Sequence, residues 1–185
     1  MKVVKEIPLR VSVILILSAL VTLLCGLVFV SLQQAYRLSA NDPQIQISED
    51  MVAYLAGGGE VQSVMPPSEV DIAKSLVWFL SVYNEKGEIL ESNAKLDGQV
   101  PVLPQGVLDH AKQNGQNRVT WEPKDGVRIA AVVTSYEGGY VLAGRSLRET
   151  DNRVMMLGEV VGWVWVLGLG LIFAGVWFLI PKKLH

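Results

Sequence analysis

The 185-residue chain is 50% hydrophobic, carries a formal net charge of −2 and has one cysteine, Cys25. That apolar share is too high for an ordinary soluble domain unless it is concentrated, and the slightly acidic balance offers no basic surface for nucleic acid. A lone cysteine excludes an intrachain disulfide framework and a metal site built from cysteines.

The apolar residues are concentrated at the two ends. No charge falls between Arg10 and Arg37, and residues 11–32 are almost wholly aliphatic. As a helix that run spans about 33 Å, enough to cross a bilayer core of about 30 Å. Residues 154–180 make a second apolar run, with Trp163, Trp165 and Trp177 near its ends, where amphipathic rings favour the headgroup region. Lys2, Lys5 and Arg10 resemble the basic start of a signal peptide. The apolar run is longer than such peptides use, however, and bulky Leu38 precedes the candidate cleavage site at Ala40, which favours an uncleaved anchor.

Basic residues flank both ends (Lys2, Lys5 and Arg10; Lys182 and Lys183), so residues 1–10 and 181–185 are expected in the cytoplasm and residues 33–153 outside it. The outer segment holds 11 Lys/Arg and 16 Asp/Glu, an acidic surface.

Within that segment, Asn41, Asp42 and Pro43 are expected to interrupt the first helix, with Asp42 capping a new one that ends at Gly57, Gly58 and Gly59. After Pro66 and Pro67, the Ser68 and Asp71 spacing predicts a short capped helix over residues 68–75. Residues 76–83 and 88–92 read as strands around a turn at Asn84, Glu85, Lys86 and Gly87. Leu103, Val107, Leu108 and Ala111 then share a helical face that Gly115 closes. Last comes a three-stranded meander over residues 117–144, with turns at Pro123 to Gly126 and Glu137 to Gly139. The pattern predicts an α+β domain with a five-stranded antiparallel sheet and flanking helices, held between two membrane spans.

This order resembles the extracytoplasmic PAS-like (Cache or PDC type) sensor domains of bacterial sensor histidine kinases. The hairpin Tyr83-Asn84-Glu85-Lys86-Gly87-Glu88-Ile89-Leu90, the Trp121 strand and the run Gly139-Tyr140-Val141-Leu142-Ala143-Gly144-Arg145-Ser146-Leu147-Arg148-Glu149 into the second span carry the likeness. It implies the input half of a two-component receptor in a bacterial inner membrane, acting as a homodimer on a cytoplasmic kinase output. No kinase catalytic residue is present to carry over. The alternative is a membrane-tethered structural or assembly subunit that holds an envelope protein.

No catalytic, metal or cofactor motif stands out; His110 beside Asp109 reads as a solvated helix face. Trp78, Tyr83, Trp121, Arg128 and Tyr140 are the candidate ligand residues, offering stacking surface, hydroxyls and one fixed positive charge for a small anion, a carboxylate or an amino-acid-like molecule. Asp125 and Glu137 are the acidic neighbours with which Arg128 would otherwise pair. In the spans, Ser18, Thr22 and Gly26, and Gly158 and Gly162, recur every four residues, a spacing that lets helices approach closely. Leu147, Val154 and Val161 recur every seven, with Leu157 between the last two, which predicts one continuous signal helix from the last strand into the second span.

Overall fold

The computed structural model describes residues 8–179; Lys2, Lys5, Lys182 and Lys183, on which the expected orientation partly rests, lie outside them. The chain divides into a helical unit drawn from its two ends and a sheet unit, residues 36–152.

The helical unit is built on α1 (Leu9–Ser39) and the greater part of α5 (Arg148–Leu179), of 31 and 32 residues. Both are long and apolar enough to cross a membrane by length and composition. The expected break after α1 is only a joint. The N-cap of α2 (Asp42–Ala56) is Asn41, whose own backbone is helical at φ −93° and ψ −19°, and no side chain caps the helix. Pro43 breaks little there, because a first-turn N–H has no intrahelical partner in any case. At the other end the left-handed residue is Gly58, at φ +88°.

The sheet unit carries five antiparallel strands in the order β3-β2-β7-β6-β5. These are β2 (Phe79–Asn84), β3 (Ile89–Ser92), β5 (Gln116–Lys124), β6 (Val127–Tyr136) and β7 (Gly139–Ser146). The expected hairpin and the three-stranded meander are both present. Asn84 fixes the first turn by accepting the Lys86 and Glu88 N–H groups on its Oδ1, each at 2.9 Å. Gly87, at φ +81°, completes it.

Residues 68–75 do not form the expected helix. Val70–Asp71 is instead a short strand, β1, paired in parallel with β4 (Ala94–Lys95). Asp71 then opens a turn in which its Oδ1 accepts the Ala73 N–H at 3.1 Å and its carbonyl accepts those of Lys74 and Ser75. The Lys74 ammonium, 3.1 Å from the carboxylate, holds the Asp71 pKa below the usual range. A capping-box pattern is thus spent on a local turn, while the strand pairing is supplied from more than twenty residues away. Asn93 secures it: 5% exposed, it accepts the Leu80 N–H at 2.8 Å and donates to the Ser68 carbonyl at 3.1 Å. The one-turn helix α3 (Val61–Val64) was not anticipated either.

Helices cover both faces of the sheet. On one, α4 (Gln105–Asn114) and the β1–β4 segment close over Phe79, Tyr83, Trp121, Ile129, Ala131, Val133, Tyr140 and Leu142. The opposite face packs Leu80, Val82, Val141 and Ala143 against α2 and α3. Strand alternation assigns the faces, odd positions of β6 going to the first and even ones to the second. Gly144 is required where it is, because any β-carbon there would strike the ring of buried Phe79.

Polar groups interrupt the α2 face. Ser48 Oγ lies 2.9 Å from Thr134 Oγ1, which also accepts Gln116 Nε2 at 3.2 Å, and that same nitrogen reaches Glu49 at 3.1 Å. Gln44, one turn before Ser48, is fully buried, and neither atom of its amide meets a hydrogen-bond partner. Burying such a group unpaired costs about 1–3 kcal/mol.

Candidate functional site

The five candidate ligand residues do not converge on one cavity. Tyr83, Trp121 and Tyr140 are 3%, 6% and 5% exposed and belong to the apolar core beneath α4. Burial pushes the Tyr83 phenol up to about 12, because desolvation disfavours the anion more than the nearby Ser81 side chain favours it. Trp78 precedes β2 and is 37% exposed.

Arg128 alternates with the core residue Ile129, so it projects from the other face. Its partner is neither Asp125 nor Glu137. One guanidinium nitrogen, Nη1, donates to both carboxylate oxygens of Asp151, at 2.7 and 2.8 Å. Sequence alone gave no signal for that pair, because Asp151 lies in the first turn of α5, beyond the last strand.

A cleft of about 520 Å³ opens elsewhere on the sheet unit, lined by Glu85, Lys112, Ser135, Tyr136, Glu137, Gly139 and Tyr140. Short, pinned segments bring these together. Glu85 sits in the turn that Asn84 braces, and Glu137 in the β6–β7 turn, where Gly139 is at φ +143° and a β-carbon would run into the Tyr83 carbonyl, so that only glycine fits. Lys112 is in the last turn of α4, whose end is sewn to β6 by the Ser135 N–H on the Gly115 carbonyl at 2.9 Å. The Ser135 hydroxyl lies 3.1 Å from the carbonyls of both Ala111 and Gly115.

Tyr140 supplies a buried apolar wall. Tyr136 is half-buried, and desolvation raises its phenol pKa. One ammonium and two carboxylates, the latter on turns that lie side by side at one end of the sheet, suit a small zwitterion better than a simple anion, which would face a net negative lining. Of the sequence candidates only Tyr140 takes part; in sequence Glu85 and Glu137 are marked only as turn residues, Glu137 also as an acidic neighbour of Arg128.

The second notable region is the junction from β7 into α5. Leu147 alone separates strand from helix, and it is buried, with its N–H donating to the Arg128 carbonyl at 2.8 Å. Besides the Arg128–Asp151 pair, Arg148 donates to the Lys74 carbonyl at 2.7 Å and Arg145 to that of Leu76 at 2.9 Å. Val154, Leu157 and Val161 follow within the same unbroken helix. The first turn of α5 is therefore bonded to two separate parts of the sheet unit.

In the helical unit, Thr22 Oγ1 donates to the Ser18 carbonyl at 2.8 Å and accepts Trp165 Nε1 at 2.9 Å. A β-carbon at Gly158 would meet Phe29 at 3.5 Å, and one at Gly168 would meet Val21 at 3.3 Å. Gly26 and Gly162 have open space where a β-carbon would go. Thr22 and Gly158 thus lie where α1 and α5 touch, and Gly26 and Gly162 do not.

Among the described residues, no three His, Cys, Asp or Glu side chains gather as metal ligands would. Compared with known protein families, curated proteins and solved structures, the chain shows no match.

Proposed function

We propose that the chain is a membrane-anchored, extracytoplasmic sensing module of the PAS-like kind, acting as the input part of a two-component-type receptor. Both termini lie in the cytoplasm of a bacterial cell, and two copies pair in the inner membrane. The observation that carries this reading is the junction: the last strand passes through one buried residue into a 32-residue helix whose first turn is tied back to the sheet by Arg128 and Asp151. A tether needs no such bracing. A transmitting element does, because a displacement in the sheet reaches the helix only through stiff contacts.

The cleft beside Lys112 is the ligand entrance in this reading, with a small zwitterion as its occupant: the ammonium against Glu85 or Glu137, the carboxylate against Lys112. The test is a chimera with a kinase output domain fused behind residue 183, in right-side-out membrane vesicles given each standard amino acid and glycine betaine from outside. At least one should change autophosphorylation. Lys112→Glu should weaken that response roughly 10- to 150-fold in half-saturating concentration, as expected for loss of one charge-assisted contact. A response unaltered by Lys112→Glu would refute the cleft as the site.

A further inference from the structure

We infer that helix α2 has two docking registers on the sheet, one helical turn apart, and that the observed one sets Ser48 against Thr134 while the other sets Gln44 there. The two side chains are four residues apart and so lie one above the other on the same face of the helix. Ser48 is partnered, 2.9 Å from Thr134, while Gln44 is fully buried with both amide atoms unpaired. A slide of one turn, about 6 Å along the axis, carries Gln44 to the place Ser48 now holds. There its amide, which both donates and accepts, has the Thr134 hydroxyl and the Gln116 side chain within reach.

Two of the apolar contacts of α2 survive that move. Ile47, Met51 and Leu55 repeat at the same four-residue interval on the α2-face core. The slide therefore replaces Met51 by Ile47 and Leu55 by Met51, swaps of similar volume that cores accept. What it gives up is the place of Leu55, the apolar contact of Val52, whose place Ser48 takes, and the Ser48–Thr134 and Glu49–Gln116 bonds, and these hold the observed register. Gly57, Gly58 and Gly59 follow the helix directly; Gly58 already sits at φ +88° with open space around it, so the link to α3 can change path at little steric expense. At the other end only Ala40 and Asn41 separate α2 from α1, so the slide reaches the first apolar helix through the chain itself. The device is a one-turn ratchet between packed elements, with two discrete positions rather than a continuum. It does not depend on the ligand assigned to the cleft.

Thiol trapping in membranes tests it on the full chain, with Cys25→Ser removing the native cysteine. The pair Glu49→Cys with Gln116→Cys reports the observed register, and Ile45→Cys with Gln116→Cys reports the shifted one; both leave Gln44, Ser48 and Thr134 in place. With a short bismaleimide both pairs should form product, since trapping accumulates even a minor state. Adding Gln44→Leu should cut the Ile45 product by about tenfold, because an apolar side chain has no bond to gain at Thr134. The Glu49 product should persist in that background, which also shows that the fold is intact. No Ile45 product, or an Ile45 product that Gln44→Leu leaves unchanged, would overturn the ratchet.

Discussion

On the α4 side of the sheet, Phe79, Tyr83, Trp121, Ile129 and Leu142 form a continuous apolar layer, whereas on the α2 side Leu80, Val82, Val141 and Ala143 share the surface with Gln44, Ser48 and Thr134. The first arrangement is apolar apart from the tips of rings such as Tyr83 and Trp121, and defines one packed state. The second depends on hydrogen bonds whose partners repeat along the helix, and Arg128, which anchors α5, belongs to that same side. On the proposed function, stability belongs mainly to the first face and coupling to the second, and substitutions can separate the two. Unfolding is followed throughout on the full chain in detergent.

The largest effect is expected on the α4 side. Phe79→Ala should destabilise the protein by about 3–5 kcal/mol, since it empties a site that is 1% exposed and leaves Gly144 facing the void. A loss below about 1 kcal/mol in the denaturant midpoint would mean that this face is not the core.

Alkaline unfolding tests the same face through Tyr83. Its folded pKa, about 12, lies above the ordinary value of 10.0, so the neutral phenol is favoured by folding. The associated stability is complete below pH 10 and is lost as pH rises from there through about 12. The loss amounts to roughly 2–3 kcal/mol, at about 1.4 kcal/mol per pH unit. Tyr83→Phe should flatten the denaturant midpoint over that interval; an unchanged alkaline slope would assign it to other groups.

Smaller changes are expected across the sheet. Arg128→Ala removes an ion pair whose side chains are 40% and 41% exposed, so solvent screens it and the stability loss should be only about 0.2–1 kcal/mol. Its effect on coupling should be far larger than its effect on folding. If Arg128→Ala instead unfolds the protein while leaving the response of folded molecules intact, the pair is structural.

Much of this fold was legible because its signals are local. Pro123 to Gly126 and Asn84 to Gly87 marked turns whose chemistry does not depend on the rest of the chain, and Gly115 at φ +80° closed α4 as expected. Uncharged runs of more than twenty residues marked the two apolar helices. What stayed hidden is nonlocal. The β1–β4 pair is two residues long and joins Val70 to Ala94, so no periodicity announces it. The candidate ligand residues were chosen by type, yet strand parity puts Arg128 on the opposite face from Trp121, and a bulge between Trp121 and Lys124 loosens that parity further. Nor does composition announce the cleft at Lys112, since two turns and a helix end meet there only in three dimensions.

Whether the sheet drives α5 as a rigid element is decided by insertions that leave Arg128 and Asp151 bonded. In the kinase chimera, two residues added after Asn152 turn the downstream helix by about 200°, while seven added at the same place nearly restore its facing. The two-residue insertion should abolish the ligand response and the seven-residue insertion should keep most of it. Equal responses from the two insertions would contradict this and make the segment a flexible tether, as an assembly subunit would use.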